Sequence, residues 1–259
     1  MTLTDMHSHI AWHLDDGCQT LDETRTALET AREDGITKII STPHILPGRT
    51  EPEFMEKVRS RQGELKNLGT EYGIDIIGAG EIRITQEFLN ALKSGWLPRI
   101  GDSKAMLVEF NVRVDFSRQE FPWDPLYEMR VMGIQPVLAH PERYFHGKMD
   151  WNQIEEWANM GVLFQINATS LSGLDTKASK NNAWQMLERG YAHFIASDAH
   201  SPESTRQEKL HRLYDEIEKR AGKKAADALF HDNQEKLLKG IQPGAVSIPK
   251  QSILKKWFR

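Results

Sequence analysis

Gly190-Tyr-Ala-His-Phe-Ile-Ala-Ser-Asp-Ala-His200 is the stretch of sequence that most clearly indicates the fold. A glycine here follows a predicted amphipathic helix, a short apolar run comes next, and the run ends in polar residues. The glycine is typical of a helix C-cap in the left-handed conformation. A nearly all-apolar run is typical of a strand buried on both faces. The stretch therefore predicts one unit of a parallel α/β fold, with polar side chains at the carboxyl end of its strand.

The same pattern recurs along the chain. Gly35, Gly73, Gly133 and Gly161 each precede a short apolar run. Two further apolar runs, at 3–6 and 105–110, bring the predicted strands to seven, and their starts are spaced by about 30 residues, the length of a βαβ unit. Six or more such units favour a closed barrel over an open sheet. We therefore predict an α/β fold with a seven-stranded parallel barrel, one unit short of the usual eight.

The predicted barrel occupies one domain over residues 1–240. Thr20-Leu-Asp-Glu23 has the form of a capping box and marks the start of the first helix. After Ser201 we predict closing helices at roughly 205–219, 222–231 and 233–239. Residues 241–259 form a tail that contains Pro and Gly and then becomes basic. The tail is expected either to contact an acidic membrane or a partner protein through residues 250–259, or to be a disordered end or a packed terminal strand.

Composition excludes several classes of protein. The 259 residues carry a formal net charge of −4, so no basic excess indicates nucleic-acid binding. The single cysteine, Cys18, excludes an internal disulfide framework and fits a reducing compartment. The first residues show no secretory signal, and no apolar run reaches the roughly 18 residues of a membrane span. We expect a cytoplasmic protein.

Histidines and acids gather at the carboxyl ends of the predicted strands, where parallel barrels assemble their active sites. His7 and His9 lie two residues apart, so their imidazoles share one side of a strand, and Asp198 and His200 repeat that spacing. Taken singly, such residues are more often structural, but burying many of them together is costly unless cations neutralise them. The candidate ligands are His7, His9, His44, Glu81, Glu109, His140, Asp198 and His200.

This ligand set predicts a metal centre. Nitrogen and carboxylate donors suit Zn, Mn or Fe better than Ca or Mg. One site needs three or four protein ligands, so the set is large enough for two or three ions, with Glu81 or Glu109 bridging. Clusters of this kind stabilise the attacking and leaving oxygens in phosphoryl transfer.

The order of these motifs resembles a known superfamily. The motifs are His7-Ser-His9, Asp15-Asp16-Gly17, Ser41-Thr-Pro-His44, Gly80-Glu81, Glu109-Phe110, Ala139-His-Pro-Glu-Arg143 and Ala196-Ser-Asp-Ala-His200. Over about residues 3–240 they resemble the polymerase and histidinol phosphatase (PHP) superfamily. More narrowly, they are similar to its bacterial manganese-dependent protein-tyrosine phosphatases, which act on the tyrosine kinases that control capsule and exopolysaccharide assembly.

The resemblance implies a distorted seven-stranded barrel, a trinuclear centre and a metal-bridging hydroxide as nucleophile. The ions would be manganese, with iron, cobalt or zinc as alternatives, and the partner would be a phosphotyrosine protein such as a bacterial tyrosine kinase. The first ion is assigned His7, His9, Glu81 and Asp198, and the second Glu81, Glu109 and His140. The third is assigned His44, His200 and a carboxylate of Asp15 or Asp16, with Asp16 preferred, although spacing leaves that choice open.

The resemblance also assigns roles around the metals. Arg143 and, less directly, Arg206 would bind the phosphate, and Asp15 would protonate the leaving phenolate. Residues 111–122 are expected to rim the pocket. Two other readings stay open: a PHP phosphatase for a small phosphomonoester such as histidinol phosphate, and a catalytically silent barrel that binds the kinase.

Overall fold

Strands and helices alternate along the chain as the sequence predicts. The structure, a computed structural model, describes residues 2–50 and 53–250. Residues 251–259, on which the predicted membrane or partner contact largely depends, lie outside the described residues. Within the described ranges the strands are β1 (Leu3–Ser8), β2 (Ile36–Ser41), β3 (His44–Ile45), β4 (Asp75–Gly78), β5 (Glu81–Arg83), β6 (Ala105–Glu109), β7 (Gln135–Ala139), β8 (Leu163–Asn167) and β9 (Phe194–Ala196).

These nine segments occupy the seven predicted strand positions, because two strands are interrupted. Pro43, which has no N–H to donate, separates β2 from β3. Gly80 separates β4 from β5, and a Cβ there would lie 2.8 Å from Ile45 Cγ1 and 2.8 Å from Pro98 Cγ. Both interruptions come directly before a predicted metal ligand.

All strand pairings between these segments are parallel. One sheet has the order β1-β2-β4 and the other β3-β5-β6-β7-β8-β9. Between β1 and the end of β9, His7 accepts from the Asp198 N–H at 2.9 Å, and the His9 N–H donates to Ala199 at 2.8 Å. The parallel α/β architecture is thus confirmed, while the strand pairing divides into two sheets and does not itself form one closed ring of seven.

Helices follow most of the strands. They are α1 (Leu21–Glu33), α2 (Phe54–Glu71), α3 (Phe88–Ser94), α4 (Pro125–Val131), α5 (Trp151–Asn159), α6 (Ala168–Ser172), α7 (Lys177–Arg189), α8 (His211–Ala221), α9 (Lys223–Asp227) and α10 (Asn233–Leu238), with a π-helical turn at Ala228–Asp232. None of the described helices is long and apolar enough to cross a membrane. The glycines that precede β2, β4, β7, β8 and β9 all have φ between 70° and 85°, which confirms the predicted left-handed conformation. Gly190 is itself a C-cap, and each of the other four directly follows one.

The capping box at the start of α1 forms with one difference. Thr20 Oγ1 accepts from the Glu23 N–H at 3.1 Å, but Glu23 reaches back to the N–H of Gln19 at 2.8 Å, one residue before the cap. The predicted start of the first closing helix near residue 205 is wrong. Residues 201–210 form turns, and α8 begins at His211, whose N–H donates to Asp34 Oδ2 at 2.8 Å.

The first part of the tail packs against the rest of the fold. Val246 pairs antiparallel with Ala192, and the Ile248 N–H donates to the Leu187 carbonyl at 3.2 Å. Ile248 is buried. Within the described residues, the tail therefore begins as a packed extension of the fold.

Candidate metal centre

The eight predicted ligands converge at the carboxyl ends of the strands. Their donor atoms form four overlapping groups, in each of which the atoms lie within 4.8 Å of one another. The groups are His7-His9-Asp198, His7-Glu81-His140, His44-Glu81-Glu109 and His9-His44-His200. Residues from the ends of six of the seven predicted strands thus share one continuous cluster.

The first predicted site has the dimensions of a coordination sphere. His7 Nε2 lies 3.1 Å from His9 Nε2, 3.3 Å from Glu81 Oε2 and 3.5 Å from Asp198 Oδ1. Ligands held about 2.1 Å from a tetrahedral ion are about 3.4 Å apart. Asp198 Oδ1 is buried and has no hydrogen-bond partner among the described residues. Because a buried lone pair without a partner is costly, this oxygen fits a metal ligand.

The second predicted site is centred on the other oxygen of Glu81. Glu81 Oε1 lies 2.9 Å from His140 Nε2, which is 3.9 Å from Glu109 Oε2. Arg83 Nε donates to the remaining oxygen of Glu109 at 2.6 Å. Glu81 thus faces the first site with one oxygen and the second with the other, the geometry of a bridging carboxylate.

The third predicted site is the most exposed. Asp16 Oδ1 lies 3.4 Å from His44 Nε2 and 3.6 Å from His200 Nε2. The Asp16 side chain is 66% exposed, whereas those of the two histidines are 19% and 6% exposed. His44 also turns Nδ1 towards Glu81 Oε2, at 3.0 Å, so its ring lies between the third site and the bridging carboxylate.

Asp15 is held differently from Asp16. Its Oδ2 lies 2.7 Å from His9 Nδ1 and accepts from the His44 N–H at 2.7 Å, while Oδ1 accepts from the Gly17 N–H at 2.9 Å. Gly17 permits this turn because a Cβ there would lie 2.0 Å from the His9 carbonyl oxygen. Both oxygens of Asp15 are engaged inside the protein, and this geometry is at odds with the prediction that Asp15 protonates a leaving group.

Both predicted phosphate-binding arginines meet at Asp198. Arg143 Nη1 and Arg206 Nη1 lie 3.2 and 3.0 Å from Asp198 Oδ2. Asp175 Oδ2 holds Arg143 from the other side, 3.2 Å from Nε. The arginine side chains are 21% and 31% exposed, so each keeps part of its guanidinium at the mouth of the site.

Two of the predicted ligands have unusual backbone conformations. His140 has φ 34° and Asp198 has φ 53°, both in the left-handed region that residues with a Cβ seldom occupy. Both directly follow or lie just beyond a strand, where the chain turns out of the sheet. Strain of this kind persists where the surrounding structure fixes it, and it is concentrated at functional sites.

Comparisons with known proteins show which family the chain belongs to. Residues 3–239 match the family model described as capsular polysaccharide synthesis, CpsB/CapC. The chain belongs to the CpsB/CapC family. The tyrosine-protein phosphatase CpsB of Streptococcus pneumoniae is 32% identical over 244 residues, 91% of this chain and 98% of that protein. The putative tyrosine-protein phosphatase CapC of Staphylococcus aureus is 34% identical over 228 residues, 83% and 87% of the two chains.

Solved structures give the same relationship. A structure described among those of YwqE from Bacillus subtilis and CpsB from Streptococcus pneumoniae, unique metal-dependent tyrosine phosphatases, matches with a TM-score of 0.78 at 26% identity, covering 96% of this chain and 100% of that one. A phosphotriesterase homology protein from Escherichia coli matches with a TM-score of 0.57 at 9% identity, which shows the fold alone. The resemblance inferred from the sequence is confirmed at the level of the family.

The electrostatics of this family member's site favour bound cations. Burial opposes ionisation of Glu81, but His7 and His44 outweigh it and hold the pKa of Glu81 well below its usual range. Burial, followed by the charge of Glu81, raises the pKa of Glu109 to about 7. Two carboxylates this close compete for ionisation, and a cation between them removes that competition.

Sequence reasoning missed three residues beside the ligands. Arg83 donates to Glu109, Gln165 contacts His7, and Asp175 holds Arg143. Arg83 lies two residues after Glu81 on β5, so the two side chains share one face of the strand. This spacing could have identified Arg83 as a neighbour of the ligands. Within the predicted rim segment, Asn111 Oδ1 is 3.5 Å from Arg83 Nη1, which places the first residue of the segment beside a residue that contacts Glu109.

Proposed function

We propose that this chain is a metal-dependent tyrosine-protein phosphatase that removes phosphate from phosphotyrosine on a bacterial tyrosine kinase or its substrates. The observation that carries the proposal is the continuous cluster of nine predicted ligands with two partly exposed arginines at its edge. The names of the relatives in the CpsB/CapC family support the choice of phosphotyrosine. The proposed location is the cytoplasm, where a tyrosine kinase would present its phosphorylated residues.

The donor set suits three divalent ions, for which manganese is the proposed identity and iron, cobalt or zinc the alternatives. His7, His9, Glu81 and Asp198 would hold the first ion, and Glu81, Glu109 and His140 the second. The third would be held by His44, His200 and Asp16, and we prefer Asp16 to Asp15 because its carboxylate is the one that faces the two histidines. When bound, such ions activate water at neutral pH and neutralise the charge of the phosphoryl oxygens.

The chain's own groups bind and orient the substrate. Arg143 and Arg206 would donate to phosphoryl oxygens from the side of Asp198, and their fork-shaped guanidinium groups suit that task. Asp15 is proposed to position His9, since its hydrogen bond to Nδ1 leaves Nε2 directed into the first site. It would not act as the acid for the leaving group.

We propose that the two sheets form one distorted seven-stranded barrel. On one side, the bridge between Ser8 and Ala199 joins the two sheets. On the other, the Ala79 N–H bond to Ser41 at 2.9 Å and the Glu81 N–H bond to Pro43 at 3.0 Å continue the β2–β4 pairing into the β3–β5 pairing. Both contacts support this reading. The proposed domain spans residues 1–240, and residues 241–259 form its tail. Closure would place all nine ligands at one mouth, as a shared centre requires.

The test compares substrates with purified, manganese-loaded protein. We expect kcat/KM for a phosphotyrosine peptide to exceed that for histidinol phosphate and for nucleotide monophosphates. The matched control is the same peptide carrying phosphoserine. Far more efficient turnover of histidinol phosphate would contradict the proposal and favour a small-molecule phosphatase, and absence of any turnover by fully metallated protein would favour a silent kinase-binding barrel.

A further inference from the structure

Strand β8 supplies none of the predicted metal ligands, yet it joins two of them. His7 Nδ1 lies 2.9 Å from Gln165 Oε1, Gln165 Nε2 donates to Asn167 Oδ1 at 2.8 Å, and Asn167 Nδ2 donates to Asp198 Oδ2 at 2.8 Å. The four side chains are at most 1% exposed. They form an unbroken hydrogen-bonded chain from β1, across β8, to the loop after β9.

The hydrogen bonds of this series can point in only one direction, from His7 towards Asp198. A carboxylate accepts hydrogen bonds and donates none, and Asp198 Oδ2 also accepts from Arg143 and Arg206. Asn167 must therefore turn its amide nitrogen towards Asp198 and its oxygen towards Gln165. Gln165 must then present its nitrogen to Asn167 and its oxygen to His7. The His7 ring consequently carries a proton on Nδ1, and in the neutral ring Nε2 therefore keeps its lone pair.

We propose that Gln165 and Asn167 are positioning residues that fix the tautomer of His7 and the orientation of Asp198, so that both ligands face the same cation. The inference rests on the proposed metal-dependent function. Its geometric consequence is that His7 Nε2 and Asp198 Oδ1, 3.5 Å apart, are the atoms directed into the first site. Partners of this kind commonly orient a ligating histidine, and losing one costs about 10- to 100-fold in metal affinity.

The backbone of β8 explains why this strand can do so. Gln165 and Asn167 are two residues apart and share one face of the strand. Register pairs Asn167 with Ala196, two residues before Asp198. The Asn167 N–H donates to the buried Glu142 Oε1 at 2.9 Å, which holds the end of the strand in place. The amides therefore reach both ligands without carrying any net charge into the site.

The test uses zinc as a diamagnetic probe in the full-length protein, with two variants of one residue. Nitrogen-15 NMR of the His7 ring distinguishes a zinc-bound from a protonated nitrogen, and competition with a chelator gives zinc affinity. In the wild type we expect zinc on Nε2 and a slowly exchanging proton on Nδ1. Gln165→Leu should lose that slow exchange and bind zinc about 10- to 100-fold more weakly. Gln165→Glu, which can still accept from Nδ1, should keep the proton there.

Gln234→Leu is the matched control. Gln234 is equally buried, and its amide nitrogen donates to the Leu229 carbonyl at 2.9 Å, so this variant should match the wild type in both measurements. Zinc on Nδ1 of His7 in the wild type, wild-type affinity and exchange in Gln165→Leu, or loss of the Nδ1 proton in Gln165→Glu would each overturn the inference. Wild-type protein that bound no zinc would contradict the proposed metal centre as well.

Discussion

Arg143→Ala is expected to lower turnover of a phosphotyrosine peptide by about 10²- to 10³-fold while leaving the metal content unchanged. Two of the five N–H donors of Arg143 face acids, one towards Asp175 and one towards Asp198, and the side chain is 21% exposed at the mouth. Three donors remain for the substrate. A charged hydrogen bond formed in the transition state is worth about 2.7–4 kcal/mol, which gives the expected loss.

A second substitution, at Asp175, distinguishes a role of Arg143 in substrate binding from a general disturbance of the fold. The ion pair between them is partly exposed, with both side chains 21% accessible, so it is worth about 1 kcal/mol or less. Asp175→Asn should therefore lower turnover only by roughly two- to fivefold. Because Asp175 reaches the substrate only through Arg143, the same change should have no further effect in an Arg143→Ala background.

The assay measures kcat and KM on a phosphotyrosine peptide, with elemental analysis of each variant. Arg143→Lys keeps the charge but loses the fork, and we expect it to fall between the wild type and Arg143→Ala. Arg32→Ala, on the solvent side of α1, is the control and should match the wild type. Wild-type turnover or lost metal in Arg143→Ala would refute this role, and so would equal effects of Asp175→Asn in both backgrounds.

Four other predictions address the metals, the bridging carboxylate, the thiol and pH. Chelation should abolish activity, and manganese or cobalt should restore more of it than calcium, measured as phosphate release, because calcium favours oxygen ligands. Glu81→Gln should lose at least one metal per chain by elemental analysis and be nearly inactive, since Glu81 faces two sites. Cys18→Ser should keep most activity, because burial and then the charge of Glu208 raise the pKa of the Cys18 thiol to about 12 and leave no thiolate for catalysis. Burial, then the charge of Asp5, raises the pKa of Glu208 from its usual 4.5 to about 8, so between these pH values Glu208 is protonated in the folded state and ionised in the unfolded state. Glu208 should therefore stabilise the fold most below pH 4.5 and lose that contribution as pH rises through 8; by denaturant unfolding, the wild type should lose about 2–4 kcal/mol relative to Glu208→Gln from pH 5 to 8. Glu203→Gln, an exposed change on the same loop, should show no such trend.

The strand positions, and the grouping of the candidate ligands at the strand ends, could be predicted from the sequence because both depend on local spacing. A glycine cap followed by an apolar run predicts a buried strand, and His7 and His9 share a face because side chains alternate along a strand. The choice between Asp15 and Asp16 could not be predicted. Adjacent carboxylates have the same spacing to every other ligand, and only the turn at Gly17, pressed against the His9 carbonyl, decides which one faces the histidines.

Side chains that support the ligands were missed for a different physical reason. Gln165 is 158 residues from His7, and the hydrogen bond between them depends on how β1 and β8 face each other across the interior. A contact between residues so far apart in the sequence produces no periodic pattern from which it could be predicted. The start of α8 was also predicted wrongly. Residues 201–210 are not helical, and two of them make contacts far away in the sequence: Arg206 donates to Asp198, and Glu208 accepts from Ser8 Oγ at 3.1 Å.

The geometry of the site explains how one carboxylate can bind both an arginine and a metal ion. Asp198 accepts from Arg143 and Arg206 on Oδ2 and turns Oδ1, unpartnered, towards His7 and His9. Glu109 likewise gives one oxygen to Arg83. Each arginine thus bonds to the outer oxygen of an acid and leaves the inner oxygen for a cation. Dications bound by these inner oxygens would add positive charge beside Arg143 and Arg206, where a phosphate dianion is proposed to bind. The cations would therefore help to hold the phosphoryl group as well as activate water, and Arg143 and Arg206 would complete its binding site.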